Sequence, residues 1–394
     1  MSEKEYFKLK SFYEDQIYEL SKKSKLYYGA FLYNVFNQNM LSSRYVDTLF
    51  QYPVPALTDS QRMSLFQLQR DNFIKTFSYS EANVIDDSLL FYYRKRNDSS
   101  RITEIKTSKL IDHALASISK ETLLLHKNDT LTWQRDRIGL MEVPVQVQHS
   151  TYSFVFDTRA SISVITKTYA EKLHLKLLPV SYEEHSGITG NAFRSGLAVA
   201  DSIYLGRTLV LHTVFQVIPD SVLAFPMLGF SINGIVGFPL IKELEQVQFF
   251  KTGKLVIAGE GTTQTLHNLA LDGSTTVVSF RTENDSLPFH FDLGATSTIL
   301  YHTYLEKFKT EVTQHAHLTT SQIGGAGGTE NRQVYVLPDF RLSVAGKTVS
   351  LDSVDVLTKP IYPGQRFYGN IGQDLVNKFA VMTINFKNMY IDFE

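Results

Sequence analysis

Apolar residues recur at helical spacing through the first third of the chain. One stripe, with steps of three and four residues, consists of Tyr6, Leu9, Tyr13, Ile17 and Leu20. Residues 63–77 and 111–118 continue this pattern, and a Thr-Asp-Ser segment at 58–60 is typical of a helix N-cap. We therefore predict a helical accessory domain over residues 1–128.

Near residue 130 the pattern changes to alternation with period two. Residues 141–148 alternate apolar and polar side chains, which predicts a strand with one face on a core. From there to residue 394, short apolar runs are separated by Gly, Asn and Asp. The predicted fold class is therefore α+β, with a helical domain followed by a two-lobed, mostly β body.

The β region repeats itself at a constant offset. Residues 154–165 consist of an apolar run that ends at Asp157, a turn of small residues and a second apolar run. Residues 289–300 repeat this pattern around Asp292. The offset is 292 − 157 = 135, and Gly-x-x-Gly segments at 234–237 and 369–372 keep it. We predict two similar lobes, at residues 129–261 and 262–394.

The helical domain has two open interpretations. Its helical hairpins are similar to tetratricopeptide-type pairs, but the sequence lacks a clean repeat of about 34 residues. A covering or spacer role and a partner-binding surface are both compatible with amphipathic helices of this length.

Composition excludes several classes of protein. The 394 residues are 43% hydrophobic and 20% charged, as in soluble globular proteins, and the net charge of −1 gives no reason to expect nucleic acid as a partner. The absence of Cys excludes a thiol nucleophile and Cys-based metal sites, and it fits both an exported and a cytosolic protein. No apolar run is long enough to span a bilayer. His315-Ala316-His317 lacks a third metal ligand, so we expect a solvated strand there.

The duplicated aspartates indicate a specific chemistry. Two Asp-bearing loops that meet across a twofold axis bring their carboxylates close enough to share one proton. One carboxylate then serves as general base and the other as general acid, with a bound water as nucleophile. Glycine-rich segments at 186–191 and 323–328 predict hairpins that close over an extended substrate.

Together these features resemble the retropepsin-like aspartic peptidases, in particular the bacterial forms with two such units in one chain. The resemblance covers about residues 140–394 and includes both copies of the Asp loop, the flap and the apolar-apolar-Gly segment. It implies an aspartic endopeptidase with Asp157 and Asp292 as its dyad, a peptide or protein substrate, no metal or cofactor, and a monomeric state. It also implies export to a bacterial periplasm or cell envelope, with a leader that this sequence does not contain.

The resemblance also assigns supporting roles. Thr158, Arg159 and Gly294 support the two carboxylates, and the hydroxyls of Ser161 and Thr296 bond the outer carboxylate oxygens. The flap and substrate-binding positions are Gly187, Ile188, Gly190, Ile323, Gly324 and Gly325.

Two residues depart from the family pattern. Arg159 stands where the family has Gly, and Leu293 stands where it has Thr or Ser. A guanidinium that faces Asp157 favours the charged carboxylate, lowers its pKa and weakens proton sharing. Two functions therefore stay open: an active aspartic endopeptidase, and a catalytically weakened peptidase-fold protein that binds peptides or a partner.

Overall fold

The computed structural model describes residues 3–51, 57–124, 128–185, 190–259, 266–282 and 285–394. Over these ranges the chain forms an N-terminal helical region followed by a mostly β body, so the α+β class predicted from the sequence is confirmed. In the same ranges, no helix is both long and apolar enough to cross a membrane.

The helices are α1 (Tyr6–Gln16), α2 (Lys22–Val35), α3 (Asn39–Phe50), α4 (Asp59–Lys75), α5 (Tyr79–Lys95), α6 (Ser99–Leu115), α7 (Lys167–Lys172), α8 (Phe238–Glu243), α9 (His302–Lys307), α10 (Lys309–His315) and α11 (Gln373–Val376). The strands before the first Gly-x-x-Gly segment are β1 (Thr122–Leu124), β2 (Asp129–Thr132), β3 (Gln134–Arg135), β4 (Met141–Val147), β5 (Ser150–Phe156), β6 (Ser163–Thr166), β7 (Lys176–His185), β8 (Ala192–Leu205), β9 (Thr208–Ile218), β10 (Ala224–Phe225) and β11 (Phe230–Ser231). The remaining strands are β12 (Gly234–Val236), β13 (Gln246–Phe250), β14 (Lys254–Ile257), β15 (Leu269–Asp272), β16 (Thr275–Thr282), β17 (Asp285–Phe291), β18 (Ile299–Leu300), β19 (His317–Gly325), β20 (Gly328–Val344), β21 (Lys347–Leu357), β22 (Gly369–Ile371), β23 (Val381–Asn385) and β24 (Tyr390–Phe393).

The helical region contacts both halves of the β body. Helix α4 begins at a capping box, in which the Thr58 hydroxyl accepts from the Gln61 N–H and the Gln61 side chain accepts from the Thr58 N–H. Leu115 of α6 packs with Tyr182 of β7, and the Tyr6 hydroxyl of α1 donates to Asp272 at 2.6 Å. The helices therefore lie against β7 at one end and the β15–β16 turn at the other.

Two barrels of the same topology form the β body. Within the described residues, β4, β5, β12, β6, β9 and β8 close into one barrel, and β16, β17, β22, β18, β21 and β20 close into the other. We call these barrels the first lobe and the second lobe. In the first, β5 pairs in parallel with β12 through Val155 and Ile235; in the second, β17 pairs in parallel with β22 through His290 and Asn370. Each of these partners lies 135 positions from its counterpart.

A shared sheet joins the two lobes. Strands β2, β14, β13, β23 and β24 lie in this order, and β13 pairs antiparallel with β23. In this pairing Gln248 faces Thr383, which is its own counterpart at 383 − 248 = 135. An antiparallel pair centred on two equivalent positions has local twofold symmetry. Phe156 packs edge-on against Phe249 of this sheet, which places the end of the first Asp-bearing strand over the junction.

Candidate active site

Each aspartate directly follows a buried barrel strand. Asp157 follows β5 and Asp292 follows β17. The Asp157 N–H donates to the Val236 carbonyl at 3.0 Å, and the Asp292 N–H donates to the Ile371 carbonyl at 2.9 Å. The Gly-x-x-Gly strands β12 and β22 thus hold the two Asp loops in equivalent positions.

A hydroxyl six residues after each Asp completes each loop. Ser163 accepts from the Gly237 N–H and Thr298 accepts from the Gly372 N–H, both at 3.1 Å. These four residues are again related by the 135-residue offset, so the skeleton beneath the site is the same in both lobes.

The two Asp loops meet at Gly294. A Cβ atom built on Gly294 would lie 2.4 Å from Cγ of Asp157, which is closer than real Cβ contacts allow. The Gly294 N–H donates to Oδ1 of Asp292 at 2.8 Å. Both carboxyl groups therefore contact the same residue, and only glycine leaves room for Asp157 there.

The environment of Asp157 favours its protonated form. Its Oδ1 accepts from the backbone N–H groups of Arg159 at 2.7 Å and Ala160 at 3.1 Å. Burial, and next the negative charge of Asp292, raise the pKa of Asp157 to about 7, although the two N–H groups and the Arg159 cation act in the opposite direction. Below neutral pH, Asp157 is therefore able to act as an acid.

Asp292 is surrounded by hydrogen-bond donors. Besides the Gly294 N–H on Oδ1, its Oδ2 accepts from Nδ2 of Asn370 at 2.9 Å. Nη1 of Arg159 lies 3.6 Å from the same Oδ2. An ionised carboxylate accepts at both oxygens, so this surrounding fits the charged form.

The position of the Arg159 side chain corrects an expectation from the sequence. The guanidinium crosses from the first lobe into the second, where Nη1 donates to Oδ1 of Asn370 at 2.9 Å, so its closest carboxylate partner is Asp292 rather than Asp157. The cation does act to lower the pKa of Asp157, as expected, but burial and the charge of Asp292 outweigh it, so the net shift of that pKa is upward.

Thr158 connects the lobes through its hydroxyl. Oγ1 donates to the Phe291 carbonyl and accepts from the Leu293 N–H, each at 3.0 Å. Leu293, the counterpart of Thr158, is fully buried and has no hydroxyl, so the second loop makes no equivalent side-chain hydrogen bond to the first. Instead, its carbonyl accepts from Nε2 of Gln373 at 2.6 Å, and Oε1 of Gln373 accepts from Arg135 of β3. The connection between the loops is therefore asymmetric.

The hydroxyls of Ser161 and Thr296 do not have the role that the resemblance assigned to them. Both residues are exposed, and the described hydrogen bonds of the Asp157 carboxylate come from the backbone two and three residues later. The physical reason is the tight turn after each Asp, which directs N–H groups at the carboxyl and leaves the fourth residue at the surface.

The predicted flap segments differ in how much of them the structure describes. Gly187 and Ile188 lie outside the described residues, and Gly190 is exposed with a φ of +68°. In the second lobe, β19 and β20 form the predicted hairpin. Its tip is given by the pairing of Gly325 with Gly328, preceded by the exposed Gly324 and the buried Ile323.

The second hairpin reaches across to the first lobe. At its tip, the Gly327 N–H donates to the Val222 carbonyl at 2.9 Å, within a short 3₁₀ turn at Asp220–Leu223. Ile323 packs in the core rather than presenting its side chain to the surface.

Three further residues near the dyad were missed from the sequence: Asn370, His290 and Tyr301. Nδ1 of His290 lies 3.2 Å from the Tyr301 hydroxyl, and Tyr301 also faces the Arg159 guanidinium. Burial lowers the pKa of His290 well below its usual value and raises the pKa of Tyr301 to about 12, so both are neutral at pH 7. A signal for Asn370 was present, since it stands in the second Gly-x-x-Gly segment where the first has Ile235.

Comparisons with known proteins found one family and solved structures to which the chain is similar. Residues 143–240 match the family model described as aspartyl protease. Among solved structures, a retropepsin-like aspartic protease from Rickettsia conorii matches at 19% identity with a TM-score of 0.24, covering 35% of this chain and 98% of that chain. No curated protein sequence matches the chain. The segment that carries Asp157 and the first Gly-x-x-Gly is thus similar to the aspartyl proteases, which confirms the resemblance to retropepsin-like aspartic peptidases drawn from the sequence.

Proposed function

We propose that this protein is an aspartic endopeptidase that hydrolyses extended peptides with Asp157 and Asp292. The observation that carries the proposal is the meeting of the two Asp loops at Gly294, where Asp157 lies against the glycine backbone and Asp292 accepts its N–H. The constant 135-residue offset supports a tandem arrangement in which residues 129–261 and 262–394 contribute one aspartate each.

The two carboxyl groups have complementary roles in the proposed reaction. Asp292, as the ionised group, removes a proton from a water molecule whose oxygen attacks the peptide carbonyl carbon. Asp157 donates its proton to the carbonyl oxygen, which gives a tetrahedral diol without a covalent intermediate. Asp292 then returns its proton to the leaving nitrogen as the C–N bond breaks, and a diol hydroxyl proton goes back to Asp157.

The remaining predicted parts follow from the same proposal. The β19–β20 hairpin, with Gly324 and Gly325 near its tip, covers an extended substrate. One chain supplies both half-sites, so we expect a monomer, which light scattering of the purified protein tests. Export to a bacterial periplasm or cell envelope comes from the resemblance alone, and fractionation of cells that express the protein tests it.

The function is tested by cleavage of a mixed peptide library from about pH 3 to 8, where coupled carboxyls titrate, with products read by mass spectrometry. Asp157→Asn and Asp292→Asn keep the shape of each side chain and remove its acid–base function, so we expect each to abolish cleavage. Asp201→Asn, at an exposed position of β8, is the matched control and should cleave like the wild type. Cleavage that survives in both dyad variants would overturn the proposal.

A second candidate is a peptidase-fold protein that binds peptides without cutting them. The observation that favours it is the Arg159 guanidinium, which lies 3.6 Å from Asp292 and adds a cation beside the dyad. Peptides that are retained on the immobilised protein but stay intact at every pH would support this candidate over the peptidase.

A further inference from the structure

Arg159 belongs to one Asp loop and interacts with the other. Its backbone N–H bonds Asp157 of its own loop at 2.7 Å, whereas its guanidinium reaches Asn370 at 2.9 Å and lies 3.6 Å from Asp292. The equivalent position in the second lobe is Gly294, where a Cβ would collide with Asp157. One loop therefore has a long cation at the position where the other has no side chain.

Asn370 uses both ends of its amide in this arrangement. Its Oδ1 accepts from Arg159, and its Nδ2 donates to Oδ2 of Asp292 at 2.9 Å. Because the guanidinium has only donors, it fixes the carbonyl end of the amide toward Arg159 and the NH₂ end toward Asp292. Asn370 is buried, and the first lobe has Ile235 at the equivalent position, which offers no such bond to Asp157.

The donor count distinguishes the two carboxyl groups. Asp292 accepts from Asn370 on Oδ2 and from the Gly294 N–H on Oδ1, so donors face both of its oxygens. Asp157 accepts both of its described bonds on Oδ1, which leaves Oδ2 as the oxygen able to carry a proton. A carboxylic acid needs an oxygen from which to donate, and Asp157 has one.

The histidine and the two tyrosines that face this cluster are neutral at pH 7. Burial lowers the pKa of His290 of β17 well below its usual value, and burial raises the pKa of Tyr301 and of Tyr362. Lys4 acts on His290 from the N-terminal segment and is itself paired with Asp272 at 2.6 Å. Among the described residues around the dyad, Arg159 is therefore the source of positive charge for the carboxyl groups.

We propose that Arg159 and Asn370 are positioning residues that hold the negative charge on Asp292 and leave the dyad proton on Asp157. This inference is built on the proposed peptidase function and assigns the base and the acid before a substrate binds. In a dyad of equivalent carboxyls the single proton resides on either carboxyl with equal preference. Here Arg159 and Asn370 favour the state in which the proton is on Asp157. The single-proton form then extends over a wider pH range, because the cation opposes protonation of the charged partner.

The first experiment compares the pH profiles of kcat/KM for the wild type, Arg159→Gln, Arg159→Lys and Asn370→Leu. Arg159→Gln removes the charge at similar length, so we expect the acid limb of the profile to move up by about one pH unit or more. Arg159→Lys keeps the charge and should keep most of the wild-type limb, while Asn370→Leu should move it in the same direction as Arg159→Gln. Unchanged limbs with only a lower rate would mean a structural role and would overturn the proposal.

The second experiment does not depend on cleavage. Protein labelled with ¹³C at the Asp carboxyl carbons is titrated by NMR, and the two dyad resonances are assigned from their loss in Asp157→Asn and Asp292→Asn. We expect Asp157 to titrate near neutral pH while Asp292 stays ionised, and Arg159→Gln to bring protonation of Asp292 to higher pH.

These two experiments separate failure of the inference from failure of the peptidase proposal. If no protein cleaves peptides but the titrations behave as expected, the positioning role stands and the peptidase proposal fails. If Asp292 carries the proton in the wild type, or if neither Arg159→Gln nor Asn370→Leu changes the titration of folded protein, the positioning role is wrong. Circular dichroism establishes that each variant is folded.

Discussion

The two lobes have the same skeleton but different chemistry around their aspartates. Strand pairing, the hydrogen bond from each Asp N–H and the hydroxyl under each Gly-x-x-Gly segment recur at an offset of 135. The side chains in and beside the two Asp loops do not recur: Thr158 corresponds to Leu293, Arg159 to Gly294, and Ile235 to Asn370. Symmetric backbones thus place two carboxyls together, and asymmetric side chains give them different environments.

This difference shows which features a repeat within one chain is free to change. Two separate copies of one chain would have to carry the same residue at both loops, so an Arg at this position would face the Cβ collision found at Gly294. A single chain with two lobes can keep glycine where Asp157 needs space and place arginine at the other position. The hydrogen bonds from Arg159 to Asn370 and from Asn370 to Asp292 are therefore compatible with two lobes in one chain. They are not compatible with a symmetric dimer in which both Asp loops carry the same residues.

Among changes outside the two aspartates, the largest effect is expected from Gly294→Ala. The added Cβ would lie 2.4 Å from Cγ of Asp157, so the carboxyl or the loop must move. We expect peptide cleavage to fall by about 100-fold, since a displacement of about 1 Å at reacting groups has that effect. We also expect the free energy of unfolding to fall by about 1–3 kcal/mol, as in overpacked cores. Cleavage rates and urea unfolding measure the two effects.

Thr296→Ala is the matched control in the same loop. Thr296 is exposed, so we expect its replacement to leave both cleavage and unfolding close to the wild type. A large loss of cleavage in Thr296→Ala would restore the carboxylate-bonding role that the resemblance gave to this hydroxyl. A fully active Gly294→Ala would mean that the two loops do not meet as described.

Thr158→Val removes the hydroxyl that connects the two lobes, and we expect it to affect stability rather than the geometry of the dyad. Valine keeps the shape but leaves the buried Leu293 N–H without its acceptor, while the Phe291 carbonyl keeps the Thr276 hydroxyl as donor. We expect the free energy of unfolding to fall by about 2 kcal/mol, the range for an unsatisfied buried group. Thr151→Val, an exposed position on β5, should change it by less than about 0.5 kcal/mol. Equal effects in the two variants would contradict a special role for Thr158.

The sequence predicted the skeleton because the skeleton is encoded locally and twice. Alternating apolar residues predicted the strands, and the constant offset identified Asp157 and Asp292 with their Gly-x-x-Gly partners. The helical region and the N-cap at Thr58 were also predicted, and the structure confirms both. The assignment of Asp157 and Asp292 as catalytic residues stays a prediction.

The environment of the dyad was not predictable in the same way, because it depends on contacts between lobes. Nothing local to Arg159 indicates that its guanidinium lies beside Asn370, 211 positions along the chain. The Ser161 and Thr296 hydroxyls were assigned to the carboxylates by position in a motif, whereas the turn geometry gives that role to backbone N–H groups in the Asp157 loop. Asn370 was visible as a polar residue in an apolar pattern, but its partners were not.

A further difference between the lobes is a dependence of stability on pH that comes from Asp157 of the first lobe. The pKa of Asp157 is raised to about 7 in the folded protein, above the ordinary value of 3.8, so the folded state binds more protons than the unfolded state between these values. Stability from this group is therefore present at low pH and is lost as the pH rises toward 7. Between pH 5 and 7 we expect a loss of about 2 kcal/mol in the free energy of unfolding, from 1.36 kcal/mol per pKa unit.

Two other buried carboxyls contribute to the same trend. Burial raises the pKa of Asp112 to about 7 and that of Glu121 to about 8. Urea unfolding at pH 5 and 7 should thus show a smaller loss in Asp157→Asn than in the wild type, with Asp201→Asn losing as much as the wild type. If Asp157→Asn shows the full wild-type loss, Asp157 is not the protonated member of the pair, and the contrast between the two lobes lies elsewhere.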